Sequence, residues 1–265
     1  MSTQAPRFVA LGASNLRRGF PEFVDVARSL AGGSVQLLAA TGHGRSYGRW
    51  SSVAGRQLPG IVDCGLWREL AEGNAASTTA LVTDIGNDLL YGVEPQQLVA
   101  WVAQCVERLV AVGARATVTM LPVGGLEALS PARYRFFRTL FFPQCRLSLN
   151  EIGRRAHEVN DGLRDVTSSL DARLLAPHDN WYGFDPIHIH RHELPTAWRF
   201  FLTGEPSQDD AQNGRHTGSQ YSPAKLWSRA HLQLAPPAER RYFGFKRERE
   251  QPSRVLRCGT TISLF

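Results

Sequence analysis

The sequence predicts an α/β protein built on a parallel, doubly wound sheet with helices on both faces. Five short apolar stretches alternate with longer stretches of helical periodicity, which is the pattern of successive strand–helix–strand units. Loops rich in Gly, Asn and Asp follow the apolar stretches, as expected where a strand turns into a helix. The 265 residues, 43% hydrophobic and 20% charged, suffice for one sizeable core of ordinary soluble composition.

The elements follow in order. Phe8–Gly12 reads as a short buried strand ending in glycine. Pro21 opens a helical pattern through Phe23, Val26, Ala27 and Leu30, stopped by Gly32 and Gly33. Val35–Ala40 is a second strand, followed by a glycine-rich loop from Thr41 to Gly48. Leu66–Glu72 reads as a helix and Thr79–Thr83 as the third strand. Pro95 starts a long amphipathic helix through Leu98, Trp101, Val102, Cys105 and Leu109. Ala116–Leu121 is the fourth strand, closed by Pro122. Ser130–Phe141, with its cap-and-proline start, and Ser148–Leu170 are helical by pattern. Arg173–Ala176 is the fifth strand, and a loop over Pro177–His192 leads to a last helix near Leu194–Leu202. Composition shifts after Gly204. Residues 1–204 therefore read as one domain. Residues 205–265 read as a linker over Glu205–Ser222 and a C-terminal extension closing in a hairpin from Val255 to Ser263 turned at Gly259.

The formal charge of +6 is carried almost wholly by arginine, with lysine only at Lys225 and Lys246. The arginines are scattered rather than interleaved with stacking aromatics, so no nucleic-acid partner is expected. Cys64, Cys105, Cys145 and Cys258 lie far apart without CxxC spacing, which argues against structural zinc or a disulfide framework. No apolar run reaches the length of a membrane span. Phe8–Leu11 is too brief for a signal-peptide core, so the expected location is cytoplasmic.

Four loops carry candidate chemistry. Ser14, in Leu11-Gly12-Ala13-Ser14-Asn15, stands just past the first strand, where open α/β sheets place ligands. Taken alone it is an ordinary helix cap; as a nucleophile it needs a base within hydrogen-bond reach. Asp185-Pro186-Ile187-His188 supplies both a base and a carboxylate able to fix its tautomer. Gly86-Asn87-Asp88 after the third strand offers an amide donor for a developing oxyanion, although it is also turn chemistry. Gly42-His43-Gly44 after the second strand lets a backbone N–H approach a substrate closely.

In the order serine, glycine, asparagine, aspartate–histidine, these blocks resemble those of the SGNH/GDSL hydrolases over about residues 7–203. The resemblance implies a flavodoxin-like three-layer α/β/α sandwich with a five-stranded parallel sheet. It also implies metal-free and cofactor-free cleavage of carboxylic esters, acyl, acetyl or thio, on a small-molecule, lipid or carbohydrate substrate. By that likeness Ser14 attacks the acyl carbon, His188 is the base and Asp185 orients it. The N–H groups of Ser14 and Gly44 and the side chain of Asn87 then form the oxyanion hole, with Gly42 the alternative to Gly44. Ala13 departs from the pattern, standing where the family carries aspartate.

Two other readings compete. Asp185, His188, His190 and His192 have the donors for a divalent metal, which makes a metal-dependent hydrolase the rival enzyme class. A non-catalytic binding protein on the same fold is the other.

Overall fold

The computed structural model describes residues 4–73, 75–205, 229, 231–233 and 235–265. In chain order it contains β1 (Arg7–Leu11), α1 (Ser14–Arg18), α2 (Phe20–Ala31), β2 (Gln36–Ala40), β3 (Ser51–Val53) and β4 (Arg56–Leu58). Next come α3 (Leu66–Glu72), β5 (Thr78–Val82), α4 (Asn87–Leu90), α5 (Pro95–Ala111), β6 (Arg115–Thr119) and α6 (Val123–Glu127). They are followed by α7 (Pro131–Phe141), α8 (Leu149–Ser169), β7 (Arg173–Leu175) and α9 (Leu194–Thr203). The C-terminal part adds β8 (Glu239–Tyr242), β9 (Phe245–Glu248), β10 (Arg254–Val255) and β11 (Thr261–Leu264).

The five apolar stretches become the adjacent parallel strands β2-β1-β5-β6-β7 of one sheet. The sheet has seven strands rather than the expected five. β11 joins in parallel beside β2, pairing Ile262 with Leu37, and β10 pairs antiparallel with β11. Residues of the expected terminal hairpin thus supply the last two strands at one side of the main sheet, with β10 at its edge. A strand's alternating side chains face both ways, so burying both faces requires helices on each. Val9, Leu11 and Leu38 pack with residues of α3, α5 and α8, whereas Phe8, Ala10 and Leu37 pack with α2 and α9.

Helix starts follow local chemistry. The Ser130 hydroxyl accepts from Arg133 N–H ahead of Pro131, and the Ser148 hydroxyl accepts from Glu151 N–H. A second, four-stranded antiparallel sheet, β3-β4-β8-β9, has no counterpart in the sequence reading of residues 51–58. Both of its tight hairpins turn through two residues of positive φ, Ala54-Gly55 and Phe243-Gly244, the turn geometry that matches strand twist. Beyond Glu205, the expected linker over 205–222 lies outside the described residues. Among the described residues no helix is long and apolar enough to cross a membrane.

From β1 the chain passes to β2 on one side and later to β5 on the other, so the topological switch point lies at the carboxyl ends of β1 and β5. Gly12 follows β1 there because a Cβ on it would stand 2.8 Å from the Thr83 methyl.

Candidate active site

Three loops meet at the switch point. Ser14 opens α1 after β1, Asn87 opens α4 after β5, and Asp185–His188 precedes α9. His188 Nε2 lies 3.0 Å from Ser14 Oγ, and His188 Nδ1 lies 2.6 Å from Asp185 Oδ2. With the ring proton on Nδ1, the imidazole donates to the carboxylate and accepts from the serine hydroxyl. Asp185 Oδ1 accepts from the N–H groups of Ile187, at 2.9 Å, and His188, at 3.3 Å. Partial burial pushes the Asp185 carboxyl up. The His188 bond and charge and those two N–H groups outweigh it and hold the carboxyl below its ordinary pKa.

The other two sequence candidates border the same cleft. Gly44 and Asn87 line it with Ser14 and His188, whereas Gly42 does not. Gly44 has φ +60°, and a Cβ there would meet the Tyr91 hydroxyl at 2.7 Å. That hydroxyl donates to the Gly44 carbonyl at 2.6 Å. Gly42 serves packing instead, since a Cβ on it would stand 2.3 Å from Leu58. The buried Asn87 amide sits 3.5 Å from the Arg45 carbonyl, a weak contact.

Beside Asn87, Asp88 is fully buried. Its carboxylate accepts from the Ser46 hydroxyl and, at 2.8 Å, from Tyr47 N–H. Ser46 Oγ in turn accepts from Gly48 and Arg49 N–H. Burial raises the Asp88 pKa to about 6, against the opposing pull of the Ser46 and Tyr47 bonds. His43, on the cleft wall, is shifted down by burial and by the charges of Arg17 and Arg56.

Sequence reasoning missed the clamp that joins the serine and histidine loops. Asp84 stands at φ +58° after β5. Its Oδ2 accepts from Ala13 N–H at 2.9 Å and Leu16 N–H at 3.0 Å, and its Oδ1 accepts from Asn15 Nδ2 at 2.8 Å. Asn15 also donates to the Ile187 carbonyl at 3.1 Å and accepts from Ile189 N–H at 2.8 Å, so it grips both neighbours of His188. Asp84 thereby holds the serine loop in a chain that carries alanine at position 13. On the outer side, Phe141 sets its ring edge against His188 at 5.6 Å, and Arg133 donates to the carbonyls of Gly183 and Phe184. Only the position of Asn15, next to Ser14, hinted at this in sequence.

The histidine cluster does not assemble as one donor set. Both ring nitrogens of His188 are engaged, His190 and His192 stack on each other at 5.2 Å, and His192 pairs with Glu193. Among the described residues no three His, Cys, Asp or Glu side chains converge as metal ligands.

No family model matches the chain, and no curated protein matches it in sequence. Solved structures do match in shape. The aryl esterase of M. smegmatis superposes with a TM-score of 0.50 at 12% identity, over 73% of this chain and 94% of the esterase. A carbohydrate acetylesterase from Sinorhizobium meliloti, Est24, gives 0.50 at 11% identity, over 73% and 95%. With the strand order and helical layers above, the chain has the three-layer α/β/α fold of the SGNH hydrolases, its sheet widened to seven strands.

Proposed function

We propose that the protein is a serine hydrolase that cleaves carboxylic esters through an acyl-enzyme on Ser14. The observation that carries this reading is the hydrogen-bonded series Ser14 Oγ, His188, Asp185, at 3.0 and 2.6 Å, at the switch point of the sheet. The esterase and acetylesterase names of the structural neighbours agree with it.

In this mechanism His188 Nε2 takes the Ser14 proton as Oγ bonds to the ester carbon. Asp185 fixes the Nδ1–H tautomer and offsets the imidazolium charge. The N–H groups of Ser14 and Gly44 and the Asn87 amide receive the oxyanion. The imidazolium then gives its proton to the departing alkoxide, releasing alcohol and leaving Ser14 acylated. Water, deprotonated by the same imidazole, attacks the acyl carbon; Oγ leaves with the proton and the carboxylic acid is freed.

The test is labelling with a fluorophosphonate beside cleavage of a short-chain nitrophenyl ester. Native protein labels and turns over, while Ser14→Ala and His188→Ala lose most of both. Turnover retained by folded Ser14→Ala refutes the nucleophile assignment.

A further inference from the structure

Ser14 stands where two spaces of very different size meet. One is a cavity of about 130 Å³ beneath the carboxyl ends of β5 and β6. Its walls are mainly apolar, among them Leu89, Leu121, Leu129, Phe137, Ile152 and Ala156. At its border the Thr119 hydroxyl donates to the Thr83 hydroxyl at 3.0 Å. The other is an open cleft of about 1000 Å³ flanked by Arg18, Arg49 and Arg146. Ser14, Asn87 and Ile187 border both spaces, whereas His188 borders the cleft alone.

That asymmetry sorts the two halves of an ester. The acid catalyst must reach the oxygen of the leaving alcohol, so the alcohol lies on the His188 side. The acyl substituent, on the opposite bond of the same carbon, faces the cavity. Resting on the serine-hydrolase reading, we infer that this cavity is the acyl site and that the substrates are esters of medium-length, apolar carboxylic acids. Its volume is close to that of the engineered apolar cavity of ~150 Å³ that takes benzene. The acyl group that fills it therefore has about five or six carbons beyond the carbonyl carbon. Acetyl esters leave most of that apolar wall uncovered. The larger, arginine-flanked cleft on the His188 side accepts the alcohol.

The experiment is a series of nitrophenyl esters from acetate to dodecanoate, with constant leaving group, run on native protein, Ala156→Leu, Leu129→Trp and Ile152→Ala, with Ser14→Ala as blank. Burial of each methylene is worth about fourfold in kcat/KM, so hexanoate exceeds acetate by on the order of 100-fold and the series falls again by dodecanoate. The two filling variants lower hexanoate turnover at least about tenfold while keeping Ser14-dependent acetate turnover. The enlarging variant moves the optimum to a longer chain, a gain that misfolding does not produce. If Ser14-dependent turnover peaks at acetate, or no variant moves the optimum, the acyl-site inference is overturned and the hydrolase reading stands. If no ester is cleaved in a Ser14-dependent way, both fall together.

Discussion

Asn15→Ala tests whether the clamp between the Ser14 and His188 loops sets the rate as well as the stability. Asn15 is 6% exposed and makes three hydrogen bonds, to the Asp84 carboxylate, the Ile187 carbonyl and Ile189 N–H. Truncation leaves the Ile189 N–H without its acceptor in a residue 3% exposed, a loss of about 1–3 kcal/mol. The bond to the charged Asp84 adds about 1.5–3 kcal/mol, reduced because Asp84 keeps its Ala13 and Leu16 donors. A net loss of roughly 3 kcal/mol lowers the melting temperature by roughly 6–12 °C for a chain of this size. The kinetic effect comes from geometry. His188 then keeps Asp185 and its packing against Phe141 but loses the grip on both its neighbours, and a drift of about 1 Å costs about 10²-fold in turnover. The assay is kcat and KM on a nitrophenyl ester well below the melting point, beside thermal unfolding followed by circular dichroism. A fall in kcat with KM nearly unchanged is expected. Native kcat accompanied by the lower melting temperature refutes the positioning role, since the clamp is then a stabilising contact only.

Asp88 gives a stability prediction with a defined sign. Its folded pKa, about 6, lies above the ordinary value of 3.8, so the folded protein binds this proton more tightly than the unfolded chain. The stability it contributes is present below about pH 4 and lost as pH rises through about 6. The span is roughly 3 kcal/mol, which urea unfolding at several pH values resolves and Asp88→Asn flattens. Gly44→Ala puts a methyl 2.7 Å from the Tyr91 hydroxyl on a backbone of positive φ. It lowers kcat by about 10²-fold or more as the N–H turns from the oxyanion, and Tyr91→Phe in the same chain restores little, because the backbone conformation still disfavours a side chain. Asn87→Ala lowers kcat about 10²–10³-fold without unfolding the protein, read as turnover against an unchanged circular dichroism spectrum.

Much of this architecture was legible in the sequence because its signals are local. A buried parallel strand such as Val35–Ala40 is a continuous apolar run, and Gly-Asn-Asp or Asp-x-x-His blocks sit at fixed places after such runs. The rest depends on contacts between distant residues. Strands β3 and β8 carry serines, arginines and glutamate with little apolar alternation, so only their partners across the sheet define them. Asp84 and Asn15 belong to residue types that fill ordinary turns, and nothing local marks the left-handed backbone that aims the Asp84 carboxylate at the serine loop. The cavity beside Ser14 is a property of packing among α4, α7 and α8, each of which reads in isolation as a plain amphipathic or polar segment.

The pairing of β11 with β2 has a consequence for biosynthesis. β2 emerges from the ribosome well before β11, the strand that covers its outer edge and follows every other described strand in the chain. Until then Leu37, Leu38 and Ala39 present an open row of backbone N–H and C=O groups on an apolar strand, the template on which two nascent chains zip together. Proteins with such late, distant pairings fold slowly. Removal of residues 254–265 therefore acts less on the geometry at Ser14 than on solubility, and the cell's handling of the newborn chain becomes the step that sets how much folded protein survives.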